Sequence, residues 1–274
     1  LSYELIDSGG GEKLERIGPF TIIRPSLISH YKPTNHPLWK EWDAKYTKNN
    51  TGSGSWEFRK KIPEKFTIDY SNLKVLVKLT PFGHLGFFPE QKRNWDRIRN
   101  YKTSKPLRVL NLFAYSGLGT LSCLQAGWEV CHVDASQGMV DWARENSKLN
   151  QLDHLPCRWI VDDVRKFLKR ELNRESYYDG FFMDPPTFGR GKKGEIWKIE
   201  EDIGELIQLL ALLTKRHPKI AGMTNHSQGF SPMNMKRMLE GEMKLGKNII
   251  LEEMTVPETT GKELPAGFGI YCEE

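Results

Sequence analysis

A chain of 274 residues is long for one minimal domain and short for three, so one large domain or a domain with an appendage is expected. Its 13 Phe, 9 Tyr and 8 Trp supply enough large apolar side chains for a sizeable core, which excludes global disorder. A formal net charge of +5 is compatible with a polyanionic partner but does not require one, because many enzymes of small molecules are equally basic. No apolar run approaches the roughly 18–20 residues of a helical membrane span. The first residues also lack the basic and apolar regions of a signal peptide. Cys123, Cys131, Cys157 and Cys272 stand apart with no CxxC pair, which fits neither a zinc site nor a disulfide scaffold. Free thiols in a reducing cytoplasm, and no metal, are the expectation.

The first 85 residues carry short β-like runs at Phe20 to Arg24, Lys65 to Tyr70 and Lys74 to Leu79. In the last, Val75 and Val77 alternate with Lys74 and Lys78, as in a half-buried strand, and Tyr70 to Leu73 reads as the turn of a hairpin. His30 to Ser55 is rich in Lys, Asn, Pro and Gly, and Lys48 to Ser55 reads as a mobile loop. Residues 1–85 are therefore expected to form a small β-rich domain, and 86–274 a second one.

The second domain alternates helices and strands. A helix starts at Pro89, where the ring suits a first helical position. Strands follow at Leu107 to Phe113, Trp128 to Val133, Cys157 to Val161, Tyr178 to Met183, Lys219 to Thr224 and Asn248 to Met254. Helices separate them at Gly117 to Ala126, Ser136 to Asn150, Val164 to Leu172, Asp202 to Arg216 and Pro232 to Leu245. Gly267 to Cys272 closes as a last strand. This order predicts an α/β, Rossmann-like sheet, mostly parallel, with helices on both faces and an antiparallel hairpin at its edge.

Such sheets bind ligands outside the carboxyl ends of their strands, so the residues there are the candidates. After the first comes Asn111-Leu-Phe-Ala-Tyr-Ser-Gly117-Leu-Gly119, whose glycines let the backbone approach a ligand. After the second comes Asp134, 17 residues past Gly117 and placed to accept from ribose hydroxyls. Asp162 and Asp163 follow the third, placed to accept from an adenine amino group. Asp184-Pro-Pro-Thr-Phe188 follows the fourth, with two prolines that stiffen the chain. It can present a carboxylate and a carbonyl beside an aromatic face, which suits a flat ligand bearing an amino group. Each feature alone is commonly a turn, a cap or a solvated charge; the four in register point to a nucleoside ligand. A hydride-transfer enzyme is disfavoured because Gly117-Leu-Gly119-Thr-Leu-Ser122 ends in Ser where a pyrophosphate loop has Gly.

Taken together, Asn111 to Gly117, Val133-Asp-Ala-Ser136, Asp162-Asp-Val164 and Asp184 to Phe188 resemble the class I S-adenosylmethionine-dependent methyltransferases. More narrowly, they resemble the bacterial group related to the 23S ribosomal RNA cytosine-C5 methyltransferases, as does Gly83-His-Leu-Gly-Phe-Phe-Pro-Glu-Gln91. The resemblance spans about residues 60–274. It implies S-adenosylmethionine as cofactor, with Asn111, Phe113, Gly117 and Gly119 at its methionine end. Asp134 and Ser136 would hold the ribose, Asp163 or Asp162 the adenine, and Phe88 and Gln91 would cover it. Asp184, Pro185, Pro186 and Phe188 would form the catalytic loop that meets the methyl group and the substrate. It further implies a base of ribosomal RNA as the acceptor and the cytoplasm as the compartment.

Two departures stand out. The family has Arg where this chain has Lys92, a point charge without a bidentate fork. The family's nucleophilic cysteine aligns with Ser227 in Thr224-Asn-His-Ser-Gln-Gly229, so transfer to a ring carbon is in doubt and a base amine is the alternative. His226 reads as a general base or a backbone-bonded loop residue. Gly189 to Gly194, with Lys192 and Lys193, reads as a phosphate grip or a solvated loop. Trp39, Trp42 and Trp56 among lysines read as RNA-stacking rings or as anchors of the small domain. A methyltransferase of a protein or small molecule, and a non-catalytic binding module, are the other functions this sequence allows.

Overall fold

The short apolar runs near the N-terminus are strands, and there are more of them than alternation alone reveals. A computed structural model describes residues 2–34, 36–49, 54–191, 194–227 and 229–274. The chain divides into two units, Leu1–Glu90 with Thr255–Ala266, and Gln91–Met254 with Gly267–Glu274. The sequence-based division puts residues 86–90 and 255–266 in the second domain; here they group with the first.

In the first unit, β1 (Tyr3–Gly9), β2 (Glu12–Ile17), β3 (Phe20–Pro25), β4 (Ala44–Lys48) and β5 (Gly54–Phe58) form one sheet in that order. β6 (Lys65–Tyr70) and β7 (Leu73–Lys78) form the expected hairpin. Its turn, Ser71 and Asn72, has φ of 51° and 58°, the left-handed pair that a two-residue hairpin turn demands. Ile6, Leu14, Ile23 and Trp42 build one core cluster. Trp42 serves as an anchor, with the Arg59 guanidinium 3.7 Å from its ring centre. Trp39 donates from its indole to Asp7, and Trp56 to the Thr80 carbonyl. β4 and the first two residues of β5 fall inside the Lys-, Asn-, Pro- and Gly-rich segment His30 to Ser55, and residues 50–53 of the expected mobile loop lie outside the described residues.

Glu15 is fully buried in this unit. It receives a two-pronged ion pair from Arg24 at 2.7 and 2.8 Å and the Tyr3 hydroxyl at 2.9 Å. Arg24 also donates to the Gly83 carbonyl, tying β3 to the loop after β7. Although burial pushes the Glu15 carboxyl up, Arg24 and Lys13 outweigh it and hold the group down at about 2.

The second unit runs α1 (Lys92–Asn100), β8 (Arg108–Leu112), α2 (Leu118–Gln125), β9 (Glu129–Asp134), α3 (Gln137–Leu149), β10 (Cys157–Val161), α4 (Val164–Asn173) and β11 (Gly180–Met183). A two-stranded ribbon of β12 (Phe188–Arg190) and β13 (Ile196–Lys198) follows. Then come α5 (Ile199–Leu213), β14 (Ile220–Asn225), α6 (Pro232–Glu242), β15 (Asn248–Pro257) and β16 (Glu263–Glu273). The main sheet has the order β10-β9-β8-β11-β14-β16-β15 among the described residues. β10, β9, β8, β11 and β14 are parallel, and β16 runs antiparallel to β14. Alternation along β8 sends Leu110 and Leu112 into a core completed by α4, α5 and α6. Val109 faces the opposite core with Ile98 of α1 and Leu124 of α2. The strand order reverses between β8 and β11, and the crevice at that reversal is where open α/β sheets bind ligands.

Candidate functional site

β8 ends in a loop held close to the sheet. Asn111 is buried and donates from its amide to the Thr120 hydroxyl at 2.8 Å, which meets His132 Nδ1 at 2.9 Å. Burial pushes His132 down to about 3, so the imidazole is neutral; its Nε2 finds no partner. Gly119 leaves room for Asn111, since a Cβ there would sit 3.2 Å from the Asn111 amide nitrogen. Gly117 starts α2 at φ 88°, and a Cβ on it would meet the Ala143 Cβ at 2.7 Å. Phe113 and Tyr115 both adopt positive φ, 54° and 51°, uncommon for residues with side chains and enriched where structure serves a site. The Phe113 ring packs on Trp197 at 4.9 Å between centres.

At the end of β9, Asp134 accepts the Tyr115 backbone N–H through Oδ2 and the Ser136 N–H through Oδ1, both at 2.9 Å. Burial raises its pKa, and these two bonds only partly oppose the rise. The carboxylate is therefore under-compensated, which is the state expected of a group that awaits further donors. Ser136 takes the N-cap position of α3 without a side-chain hydrogen bond.

At the end of β10 the two acidic residues are already engaged. Asp163 caps α4, accepting the Lys166 N–H at 3.1 Å, and lies 3.7 Å from the Arg165 guanidinium. Asp162 accepts the Asp163 N–H and pairs with Arg170.

Past β11, Asp184 accepts a long hydrogen bond of 3.3 Å from the Gln91 amide. The same nitrogen donates to Thr224 on β14 at 2.9 Å, and the Gln91 oxygen accepts from Asn94. Asn94 in turn accepts from Arg97, which pairs with Glu252 on β15. Gln91 is thus the inner end of a polar chain that fixes the Asp184 carboxylate. The Pro186 carbonyl accepts from the Trp197 indole at 2.6 Å, and the Pro185 carbonyl from Asn225 at 3.4 Å. These bonds hold the loop while the Phe188 ring stays 51% exposed beside the Arg190 guanidinium. The Thr187 and Ser227 hydroxyls bond to each other. His226 is exposed and Ser227 is buried.

The carboxyl edge of the sheet thus gathers Asn111, Phe113, Gly117, Gly119, Asp134, Ser136, Asp162, Asp163 and Asp184 to Phe188, with Gln91 joined through Asp184. Phe88 belongs to the first unit, where its ring meets His84 edge-on. Lys92 is engaged by Asp96 one turn along its own helix. Lys192, Lys193 and Gln228 lie outside the described residues. Sequence reading missed Thr120, His132, Thr224, Asn225 and Trp197. Thr120 lies in α2 and the other four within strands, where nothing in the local pattern marks them. The arrangement fits an adenosine-bearing ligand at Asp134, a carboxylate that burial leaves with a raised pKa and two backbone donors, to which ribose hydroxyls would add more.

No protein-family model matches the chain. It is similar to a crystal structure of the SAM-dependent methyltransferase from Agrobacterium tumefaciens. The two are 32% identical at a TM-score of 0.92, covering 100% of this chain and 90% of that one. The structure of SMU.776 in complex with SAH, 18% identical at a TM-score of 0.75, shares the fold over 96% of this chain and 71% of that one. In sequence, the chain is 34% identical over 214 residues to ribosomal RNA large subunit methyltransferase I of Cronobacter sakazakii, covering 70% of this chain and 52% of that protein. It is 32% identical over 171 residues to ribosomal RNA large subunit methyltransferase K/L of Syntrophotalea carbinolica, covering 62% of this chain and 23% of that protein. The chain therefore spans from under a quarter to about half the length of these two relatives. No helix among the described residues is long and apolar enough to cross a membrane.

Proposed function

We propose that this chain, which belongs to the S-adenosylmethionine-dependent methyltransferases, passes the methyl group to a base of RNA, ribosomal RNA first among candidates. The observation that carries the reading is the loop after β11. An exposed aromatic ring, Phe188, stands beside a cation and four residues from an anchored carboxylate, Asp184. Such a platform stacks a base extruded from its helix and accepts hydrogen bonds from its edge. Relatives named for ribosomal RNA methylation supply the second support.

In this reading Asn111, Phe113, Gly117 and Gly119 line the methionine end of the cofactor, and Asp134 with the Ser136 turn takes the ribose. The adenine amino group falls to the Asp162-Asp163 turn, where Asp163 caps α4 through Oδ1 and holds its Oδ2 3.7 Å from the Arg165 guanidinium. Phe88 is kept as a cover on the resemblance alone. The bound cofactor supplies an electrophilic methyl group on a sulfonium. The work left to the chain is alignment, which raises effective molarity. Asp184 orients the acceptor and receives or relays its proton, and Phe188 holds the base plane. The rigid diproline and the Gln91 chain keep Asp184 from swinging away. The cytoplasm is the compartment this reading implies.

The test is transfer of labelled methyl from S-adenosylmethionine into RNA from cells lacking the gene, followed by digestion to nucleosides and mass spectrometry. Label in one nucleoside, lost with Asp184→Ala, is the expected result. Cofactor binding without label in RNA would sink the reading and turn attention to protein or small-molecule acceptors.

A further inference from the structure

We infer that Arg165 is a positioning residue: from the first turn of α4 it holds the ribbon of β12 and β13, and through Trp197 the backbone beside it, against the turn that follows β10. This rests on the RNA reading above and adds to it the side chain that ties the adenine end of the site to the acceptor end.

The ribbon cannot support itself. Each of its strands has three residues and its ladder three pairs, whereas an isolated two-stranded hairpin is marginal in water at best. Phe188 stands opposite Lys198 and Arg190 opposite Ile196, and all four side chains are exposed. Trp197, between Ile196 and Lys198, points the other way and is buried. Its indole donates to the Pro186 carbonyl at 2.6 Å, and its ring packs on Phe113 at 4.9 Å between centres. The Ile199 N–H adds a bond of 3.1 Å to the Thr187 carbonyl. Any shift of β13 is therefore passed to residues 186–188.

Arg165 grips β13 on both sides of Trp197. One terminal nitrogen of its guanidinium donates to the Ile196 carbonyl at 2.9 Å, and the other pairs with Asp202 in the first turn of α5. The second Asp202 oxygen accepts the Lys198 N–H at 2.7 Å. The cation also lies 5.8 Å from the Trp197 ring centre. Both members of the Arg165–Asp202 pair are largely shielded, at 19% and 16% side-chain exposure. The neighbouring Lys166–Glu195 pair, at 2.6 Å, has a lysine 55% exposed and contributes little by comparison. On its other side the Arg165 guanidinium lies 3.7 Å from Asp163 Oδ2. One planar fork thus joins the α4 cap, β13 and the start of α5.

The geometry demands a fork and not only a charge. A lysine at this position would keep a cation near Asp163 and Asp202, but a single ammonium on a flexible stem does not reproduce two nitrogens aimed at Ile196 and Asp202 at once. Charge and geometry can therefore be separated by substitution.

The experiment uses the full chain with Arg165→Met, Arg165→Lys and Trp197→Phe, the last keeping a ring against Phe113 while removing the indole N–H. Methyl transfer into RNA from cells lacking the gene is measured beside titration with S-adenosylhomocysteine. Arg165→Met and Trp197→Phe should each lower kcat about 10- to 100-fold through misplacement of the acceptor. Affinity for S-adenosylhomocysteine should change less than about fivefold, because the cation near Asp163 is a partly exposed partner at 3.7 Å. Arg165→Lys should not restore kcat. Since both residues act along one path, the double variant should fall no more than about threefold below the worse single one. Full multiplication of the two losses, restoration of kcat by lysine, or a loss of affinity equal to the loss of kcat overturns the inference.

The second arm reads no activity. Hydrogen exchange over residues 187–199, followed by mass spectrometry, should quicken at least about tenfold in Arg165→Met while β8 and β11 keep their rates. Unchanged exchange in the ribbon, or a rise throughout the second unit, overturns the inference. If the parent protein labels no RNA, the RNA reading fails and the exchange result decides the positioning role by itself.

Discussion

Asp134→Asn tests the cofactor site at its most informative atom. The carboxylate now holds two backbone N–H groups at 2.9 Å and sits with a raised pKa because burial outweighs them. Hydroxyl donors from a bound ribose would add charge-assisted bonds, worth about 1.5–3 kcal/mol. Loss of that amount weakens binding about 10- to 150-fold. Titration calorimetry with S-adenosylhomocysteine on both proteins reads this directly. The pH dependence carries a sign. Because the folded carboxyl is harder to ionise than in the unfolded chain, this group favours folding as pH falls through its raised value and opposes folding above it. Ligand donors favour the ionised form, so affinity should drop as pH falls through that value, with protons released on binding there. Buffers of different ionisation enthalpy measure the release. A thermal melt of the free variant guards against the fault of a flipped amide facing one of the two N–H groups. Affinity within twofold of the parent, with an unchanged pH profile, would refute the reasoning.

Other outcomes follow from the same geometry. Gln91→Leu should lower kcat of methyl transfer more than it weakens S-adenosylhomocysteine binding, since it removes the 3.3 Å support of Asp184. Gly117→Ala combines a left-handed φ of 88° with a 2.7 Å approach to Ala143, and should cost about 1–3 kcal/mol in urea unfolding. Arg24→Met leaves the buried Glu15 carboxylate only Lys13 at 3.5 Å and the Tyr3 hydroxyl, and should destabilise the first unit by up to about 3–5 kcal/mol, whereas Glu15→Leu with Arg24→Met together should cost much less. Because Glu15 is held at about 2 against an ordinary 4.5, its contribution is full above the ordinary value and lost as pH falls toward 2. Urea midpoints at pH 6 and pH 3 should therefore converge in Glu15→Gln.

The second unit was legible because its strands are short apolar runs punctuated by glycines, acids and prolines that serve the ligand edge. Each expected helix and strand from residue 89 onward has its counterpart within a few residues, and the antiparallel partner beside β14 is present. The first unit was legible only in part. β1 is buried at six of its seven positions, so it shows no alternation, and β4 carries two lysines in five residues. The ribbon of β12 and β13 was missed because three-residue strands carry almost no pattern. At the site, sequence spacing located the acids but not their occupation. That Asp163 spends one oxygen on a cap, or that Gln91 spans two strand ends, depends on contacts between segments far apart in the chain.

The segment Thr255–Ala266 leaves the second unit's sequence and returns to it. Within the first unit, Thr259 donates its N–H to the Leu5 carbonyl at 2.9 Å and its hydroxyl to Ile6, and Ser8 bonds Glu258. β1 therefore waits for a stretch 250 residues further along the chain before it is complete. During translation the usual order, N-terminal part first, cannot run to its end here. Until residue 266 has emerged, β1 keeps those carbonyls open to water or to chaperones. A stop codon after Met254 would spare most of the large sheet's sequence, yet would harm β1, which lies far upstream of the cut.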